Sequence, residues 1–345
     1  MTECGEGTSA AEAVTIVAAT CSLLFGLVAV LTNGVLLFTL YKDPYNYFRA
    51  RPTAYFVASL CVSDFLGGLL VQPLYSVYMI SIAAKFQQPK LCEVSLILSH
   101  VTTKISIFTV VALSLDRFLA VKLSWRYKSL ITVRKVVACD ILIWLFAVIF
   151  EASHAAVESE EIFHAIDLHL QTTVPLTIML ALYTATYIEF RRYSRNVIFM
   201  QAYTGGRRRV FVRNIRLEKK IVLTVVVIII VLFISLLPYL IAKNLEDHCH
   251  EEDSSECSEL GFVLLRALSV PMLCVSCAFN PFLYAWRIPQ YRQALRVVQR
   301  RACRRCRRQS RATSALNIPT VLASASIVEQ NTPAVGHLQP KQDGL

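Results

Sequence analysis

Seven stretches of this chain are too long and too apolar to lie anywhere but in hydrocarbon. Residues Ala13 to Tyr41 carry no charged side chain, and Pro52 to Ala84 carry only Asp64. Val94 to Leu115 encloses Lys104, and Val136 to Phe150 encloses Asp140. Leu168 to Ile188, Ile221 to Ala242 and Ala267 to Trp286 hold no charge. Crossing a bilayer core takes about 20 residues of helix. The fourth stretch is short for that and becomes adequate if it extends to about His154. In hydrocarbon the backbone must satisfy its own N–H and C=O groups, so each stretch is predicted to be a helix. A membrane β-barrel would show short segments of alternating polarity instead. The predicted fold is an all-α membrane protein, a seven-transmembrane helix bundle. Composition agrees, with 17% charged residues against about 25% in soluble domains.

Charge sets the expected orientation. The chain is basic, with a formal net charge of +11, but its cations are not spread as a nucleic-acid surface would need. Thirty of the 35 Lys and Arg residues fall in segments 42–52, 116–135, 191–220 and 287–345, and only Lys85, Lys90, Lys104, Lys243 and Arg266 lie elsewhere. Cytoplasmic loops carry such an excess. The N-terminus is therefore expected outside and the C-terminus in the cytosol, with no nucleic acid as partner. The basic segments suit anionic membrane lipids. Residues 1–12 form an extracellular N-terminus without the basic region of a secretory signal, so the first span is expected to insert directly. The loops assigned to the outside are acidic, with Glu158, Glu160 and Glu161 after the fourth span and Glu246 to Glu259 after the sixth. They are a solvated surface or an attraction for a cationic ligand.

Polar residues inside a membrane are costly, so they mark function. In chain order they are Asn33 in LTNGVLL, Asp64 in SLCVSDFLGG, Asp116-Arg117-Phe118 closing the third span, Trp144, Pro175 with Tyr183, Pro238, and Asn280-Pro281-Phe282-Leu283-Tyr284 closing the seventh. This ordered set on seven spans resembles the rhodopsin-like (class A) G-protein-coupled receptors over roughly residues 20–300. The resemblance implies a receptor in the plasma membrane that transduces an extracellular ligand to a heterotrimeric G protein by outward movement of the sixth span. Receptor kinase and arrestin are the further partners implied. Asp64, Ser106, Ser276 and Asn280 match a sodium site. Arg117 would be held by Asp116 and latched to Glu218, with Tyr183 and Tyr284 lining the opened crevice. Breaking such a latch is a switch between two packings. Pro175, Pro238 and Pro281 should kink their spans.

After the seventh span, Tyr291, Leu295 and Val298 oppose Arg292, Arg296 and Arg300. Residues 287–308 are expected to be a short amphipathic eighth helix with a basic segment lying on the membrane. Cys303 and Cys306 are palmitoylation candidates. Residues 309–345 read as a disordered cytosolic tail dotted with Ser and Thr.

Several features depart from the family pattern. Leu236 stands where the sixth span usually carries a Trp. Cys92 occupies the family's third-span cysteine position, yet residues 151–170 hold no partner. Cys249–Cys257 is the local pairing, which leaves Cys92 to Cys4 or free. The untethered loop after the fourth span is similar to the melanocortin, lipid and adenosine receptor branch. Residues expected to face the ligand cavity are Ser99, His100, Thr103, Lys104, Asp167, Gln171, Tyr239, Lys243 and Arg266. Ser99 replaces the Asp of amine receptors, so a peptide, or a lipid or small carboxylate, is preferred to a monoamine. Lys104 either meets an acidic head group or pairs within the bundle. No nucleophile–base set or phosphate loop points to an enzyme. The competing readings are a non-coupling decoy or scaffold receptor and a transporter, though the repeated broken helices of transporters are missing.

Overall fold

The computed structural model describes residues 11–86, 88–123, 126–154, 160–204, 223, 226–227, 229–242, 244–245 and 260–316. They are nearly all helical: α1 Ala11–Lys42, α2 Pro52–Leu66, a π-helical turn Gly67–Val71, α3 Gln72–Ala83, α4 Pro89–Leu123, α5 Tyr127–Leu130, α6 Val133–Ser153, α7 Glu160–Gln171, α8 Thr173–Thr204, α9 Ile229–Ala242, α10 Leu260–Arg287 and α11 Pro289–Leu316. Five stretches are long and apolar enough to cross a membrane, namely Glu12–Lys42, Pro52–Ala83, Pro89–Leu123, Val133–Ser153 and Ala165–Arg192. The shorter apolar helices Ile229–Ala242 and Ala267–Leu283 stand at the sixth and seventh predicted spans. The chain divides into two compact units, Met1–Leu295 and Arg296–Leu345.

Within the first unit α4 is the hub, packing against α2, α6 and α8. Its residues Lys104, Ile105, Ser106 and Ile107 are all buried in succession. A full turn buried on every side leaves that part of α4 no outward face. The opposite case is α6, where only Val136, Asp140, Ala147 and Glu151 are buried. These lie along one helical stripe, while Ile141, Leu142, Leu145, Phe146, Val148 and Ile149 point outward. Hydrocarbon is the only solvent that suits such a face. Two of the four inward residues are acids, the orientation expected of charges in a span.

The first and second spans meet at glycines. The π turn begins at Gly67, just before Pro73. A Cβ on Gly68 would lie 2.7 Å from the Gly26 carbonyl oxygen and 3.0 Å from Ala29 Cβ. Close by, Ser22 donates to the Gln72 side chain, and Ser76 donates to the Ala19 carbonyl at 3.0 Å. The link between α1 and α2 is organised by Asp43, whose buried carboxylate accepts the backbone N–H groups of Tyr47, Phe48 and Arg49 at 2.8, 3.0 and 3.1 Å. Phe48 then packs at a tilt against Tyr291 of α11, with ring centroids 4.6 Å apart.

The structure differs from the sequence expectation in four places. The third span is longer than its apolar stretch, reaching from Pro89 to Leu123. Glu160 and Glu161, assigned to a loop, begin α7, which leads into α8 with a break only at Thr172. Pro175 accounts for that break, because its missing N–H leaves the Gln171 carbonyl without a helical donor. In α10, Pro271 joins the expected Pro281 inside the helix. Finally, α11 continues to Leu316, past the boundary at 309, so the eighth helix is not short; residues 317–345 lie outside the described residues.

Replacing Gly68 by Ala should force α1 away from the π turn. Overpacking of this kind costs about 1–3 kcal/mol. Thermal unfolding in detergent should show the loss, and an unchanged Tm would mean that the contact yields freely.

Candidate functional site

Three polar clusters lie along α4, and each recruits partners from other helices. The middle one is centred on Asp64 of α2, which is 1% exposed. Its Oδ1 accepts from Ser106 Oγ of α4 at 2.9 Å, and its Oδ2 accepts from Asn280 Nδ2 of α10 at 2.8 Å. Ser63 Oγ lies 2.8 Å from Ser106 Oγ. Asn280 Oδ1 is buried without a hydrogen-bond partner. A small cavity borders the cluster and is lined by Ser99, Thr103, Ser106, Ser276, Cys277 and Leu236 among others. Three of the four residues matched to a sodium site are thus joined by hydrogen bonds, and the fourth, Ser276, lines the same cavity. Asn33, the polar residue of α1, donates to the carbonyls of Ala29 and Cys277, both at 3.0 Å.

The second cluster lies nearer the Pro89 end of α4. Lys104 is fully buried; its ammonium donates to Glu151 of α6 and forms an ion pair with Asp167 Oδ1 of α7, 2.5 Å away. His100 Nδ1 is 3.7 Å from Glu151 Oε1 and 3.6 Å from Asp167 Oδ2. Gln171 Nε2 donates to Asp167 Oδ2 at 2.6 Å, and His100 Nε2 is 3.3 Å from the Tyr239 hydroxyl of α9. The Lys104 ammonium also sits over the Phe150 ring, 5.1 Å from its centroid. His100, Glu151 and Asp167 offer ligand atoms within 4.8 Å of one another, but the cation already seated on both carboxylates is Lys104. Of the two fates foreseen for Lys104, pairing within the bundle is the one observed.

The third cluster closes the Leu123 end of α4. Arg117 and Asp116 are 6% and 3% exposed. Arg117 Nε donates to Asp116 Oδ2 at 3.0 Å, and its Nη2 reaches Asp116 and Thr53 of α2. Thr53 donates to Asp116 Oδ2 at 2.9 Å, and the Tyr127 hydroxyl of α5 donates to Asp116 Oδ1 at 2.5 Å. Burial, with Asp116 adding to it and Arg117 opposing, pushes the Tyr127 phenol up to about 12. Tyr127 therefore keeps its proton and remains a donor across the physiological range.

Other predicted residues are placed as follows. Ser99 is buried and Thr103 half-buried, both on the cavity wall. Leu236 is buried and also lines a second small cavity beside Phe233, Met179 and Gln171. Trp144 Nε1 donates to Ser59 Oγ at 3.0 Å. Phe118 and Tyr183 are half-buried, Pro281 is buried, and Cys303 is an exposed free thiol. Cys92 is disulfide-bonded, which removes the free-thiol alternative; its partner lies outside the described residues. Glu218, Lys243, Cys249 and Cys257, and the side chains of Arg266, Tyr284 and Cys306, also lie outside them. Sequence reasoning missed Glu151, Thr53 and the role of Tyr127. Glu151 had a signal, because the fourth span had to extend to about His154 and so had to contain this acid.

Replacing Lys104 by Met would strand two buried carboxylates. Breaking a buried ion pair from one side costs about 3–5 kcal/mol. The variant should show a markedly lower Tm and folded yield, and adding Glu151→Gln should recover part of the loss. A single Lys104→Met variant as stable as the parent would contradict the pairing.

The sequence matches the family "7 transmembrane receptor (rhodopsin family)" over residues 32–166 and 151–284. Similar proteins include a muscarinic acetylcholine receptor of Caenorhabditis elegans, 31% identical over 38% of this chain and 21% of the relative. The adenosine A3 receptor of Canis lupus familiaris is 32% identical over 36% of this chain and 38% of the relative. In both, the match spans well under two thirds of the relative. The cysteinyl leukotriene receptor 1 of Sus scrofa is 22% identical over 76% of this chain and 78% of the relative. Squid rhodopsin shares the fold, with a TM-score of 0.69 at 16% identity, covering 84% of this chain and 86% of that one. These relatives are receptors and not enzymes. With five apolar helices of spanning length and two shorter ones among the described residues, and the family match over most of its length, this chain is a multi-pass membrane protein and belongs to the rhodopsin family of seven-transmembrane receptors.

Proposed function

We propose that this chain is a signalling receptor that passes the binding of an extracellular ligand to a heterotrimeric G protein by an outward swing of the span containing α9. The observation that carries this reading is the buried network of Arg117, Asp116, Thr53 and Tyr127. Charge-assisted bonds of this kind are strong when water is excluded, and they hold the Leu123 end of α4 to α2 and α5. A partner that engages Arg117 has to break them, so the network favours one of two states. The basic bias of segments 42–52, 116–135, 191–220 and 287–345 puts this end in the cytosol, and we place the receptor in the plasma membrane. Receptor kinase and arrestin would act on the Ser/Thr-dotted tail. The exposed Cys303 thiol suits acylation, with Cys306 as its neighbour in sequence.

Asp64, Ser106, Ser276 and Asn280 fit a sodium ion. They offer hard oxygen donors, Asn280 Oδ1 is an orphaned buried acceptor, and Ser106 and Ser276 line the bordering cavity. A bound sodium would supply the positive charge that the buried Asp64 carboxylate needs. The relatives are named for acetylcholine, adenosine and a leukotriene, three unrelated chemistries, so the resemblance sets no ligand class. Engagement of Lys104 with Glu151 and Asp167 removes it as the inner counter-ion for an acidic ligand; Lys243 and Arg266 keep that role in the proposal. A receptor that binds without coupling is the second reading, favoured by Leu236 in place of an aromatic trigger.

Nucleotide exchange on G proteins by the purified receptor tests the reading, and its complete absence with a broad ligand panel would favour the second. Tyr127→Phe removes a hydrogen bond to an ionised acceptor, about 1.5 kcal/mol or more. If that bond exists only in the closed state, basal exchange should rise roughly tenfold. Unchanged basal exchange would exclude Tyr127 from the switch. Asp64→Asn should abolish any effect of sodium concentration on agonist affinity, and a retained effect would place the ion elsewhere.

A further inference from the structure

We propose that His100 is a proton-binding site through which this receptor reads the acidity of the solution at the Pro89 end of α4, the proton acting as a ligand in its own right. The inference rests on the receptor reading given above and names a ligand for it.

The argument begins with charge. Lys104 has no exposed side-chain surface, and the side chains of Glu151, Asp167 and His100 are 5%, 6% and 16% exposed. Two carboxyl groups face one ammonium, a formal charge of −1 among the described residues, in a site with little exposed surface. An uncompensated buried charge is expensive. One added positive charge cancels it, and His100 Nδ1 stands 3.7 and 3.6 Å from the two carboxylates that need it. The charged and titratable groups facing His100 are Glu151 from α6, Asp167 from α7, Tyr239 from α9 and Lys104 from its own helix. Among the described residues facing it, only Lys104 carries a positive charge.

Space decides which cation completes the cluster. The Lys104 ammonium already occupies the position between the carboxylates. The two cavities described above run past Ser99, Thr103 and Gln171 and are not lined by Lys104, Glu151, Asp167 or His100. A proton needs no cavity, only contact with water, and His100 is the member of the cluster with the most exposed surface. Imidazole is also the side chain whose charge ordinarily changes between about pH 5 and pH 8.

The same ring reports to the span that moves. With its single proton on Nδ1, directed at the carboxylates, a neutral His100 accepts the Tyr239 O–H at Nε2, 3.3 Å away. A proton taken from water at Nε2 makes that atom a donor, and the phenol oxygen must become the acceptor. The contact between α4 and α9 therefore changes polarity on protonation. A ligand shifts a two-state equilibrium only through such a difference between the states.

The test uses the full-length receptor in nanodiscs, in buffer with a metal chelator, with a fluorescent amino acid incorporated at Leu223 near the opposite end of the sixth span. Wild type should show an emission step on acidification. His100→Gln should lose the step. Glu151→Gln neutralises the cluster without a proton, leaves His100 neutral with Nε2 accepting from Tyr239, and should hold the base-side signal at every pH. No step in wild type, or a step retained in His100→Gln, overturns the proposal. If His100→Gln does not fold, a full step in Glu151→Gln overturns it alone. The readout needs no G protein. A pH step without nucleotide exchange would sink the coupling reading and leave the proton site standing; exchange without a pH step would do the reverse.

Discussion

Lys104 carries its ammonium at a depth where no water reaches it, and the packing around α4 follows from that. A lone charge in such a place is so costly that its counter-charges have to come from the neighbouring helices. Glu151 brings α6, and Asp167 brings α7. Apolar side chains could have packed α4 against these helices at many rotations and depths, because lipid tails and side chains solvate each other almost equally well. A pair of carboxylates that must both reach one nitrogen allows very few. The ion cluster therefore specifies the arrangement more than it stabilises it.

The same logic repeats along α4. Asp64 is satisfied by Ser106 and Asn280, which ties the second span to the third and seventh. Arg117 is satisfied by Asp116 and Thr53, and Asp116 by Tyr127. Between these polar layers lie Ile107, Val110 and Leu113, buried and apolar. The central helix thus alternates layers that select partners with layers that fill space. Polar layers of this kind have discrete alternative pairings, while apolar ones transmit a shift as rigid packing. Leu236, which lines both cavities, puts an aliphatic side chain where the family usually has a large planar one.

Much of this was legible from residues alone. The ordered markers from Asn33 to Tyr284 named the family, and Asp64, Ser106 and Asn280 meet as the resemblance implied. Other features were hidden for identifiable reasons. Glu151 escaped because the fourth apolar stretch was closed at Phe150, one residue too soon. Glu160 and Glu161 read as a loop because charge was taken as a boundary, whereas a helix projecting beyond the hydrocarbon can carry acids freely. Tyr127 was passed over, since nothing in sequence shows that α5 folds back onto Asp116. Cys92 offered two fates, and bonding was decided by partners far away in the chain.

By itself the sequence determined the spans, their number and their expected orientation. Those depend on local quantities: how many consecutive residues tolerate hydrocarbon, and where the cations stop. It also determined which residues were too polar to be there by accident. Tertiary structure alone decided who meets whom. Lys104 had an acidic ligand or the bundle as possible partners, and only the relative rotation and depth of α4, α6 and α7 chose the bundle. Pairing in a membrane depends on the geometry between helices, and no property of a single span encodes it.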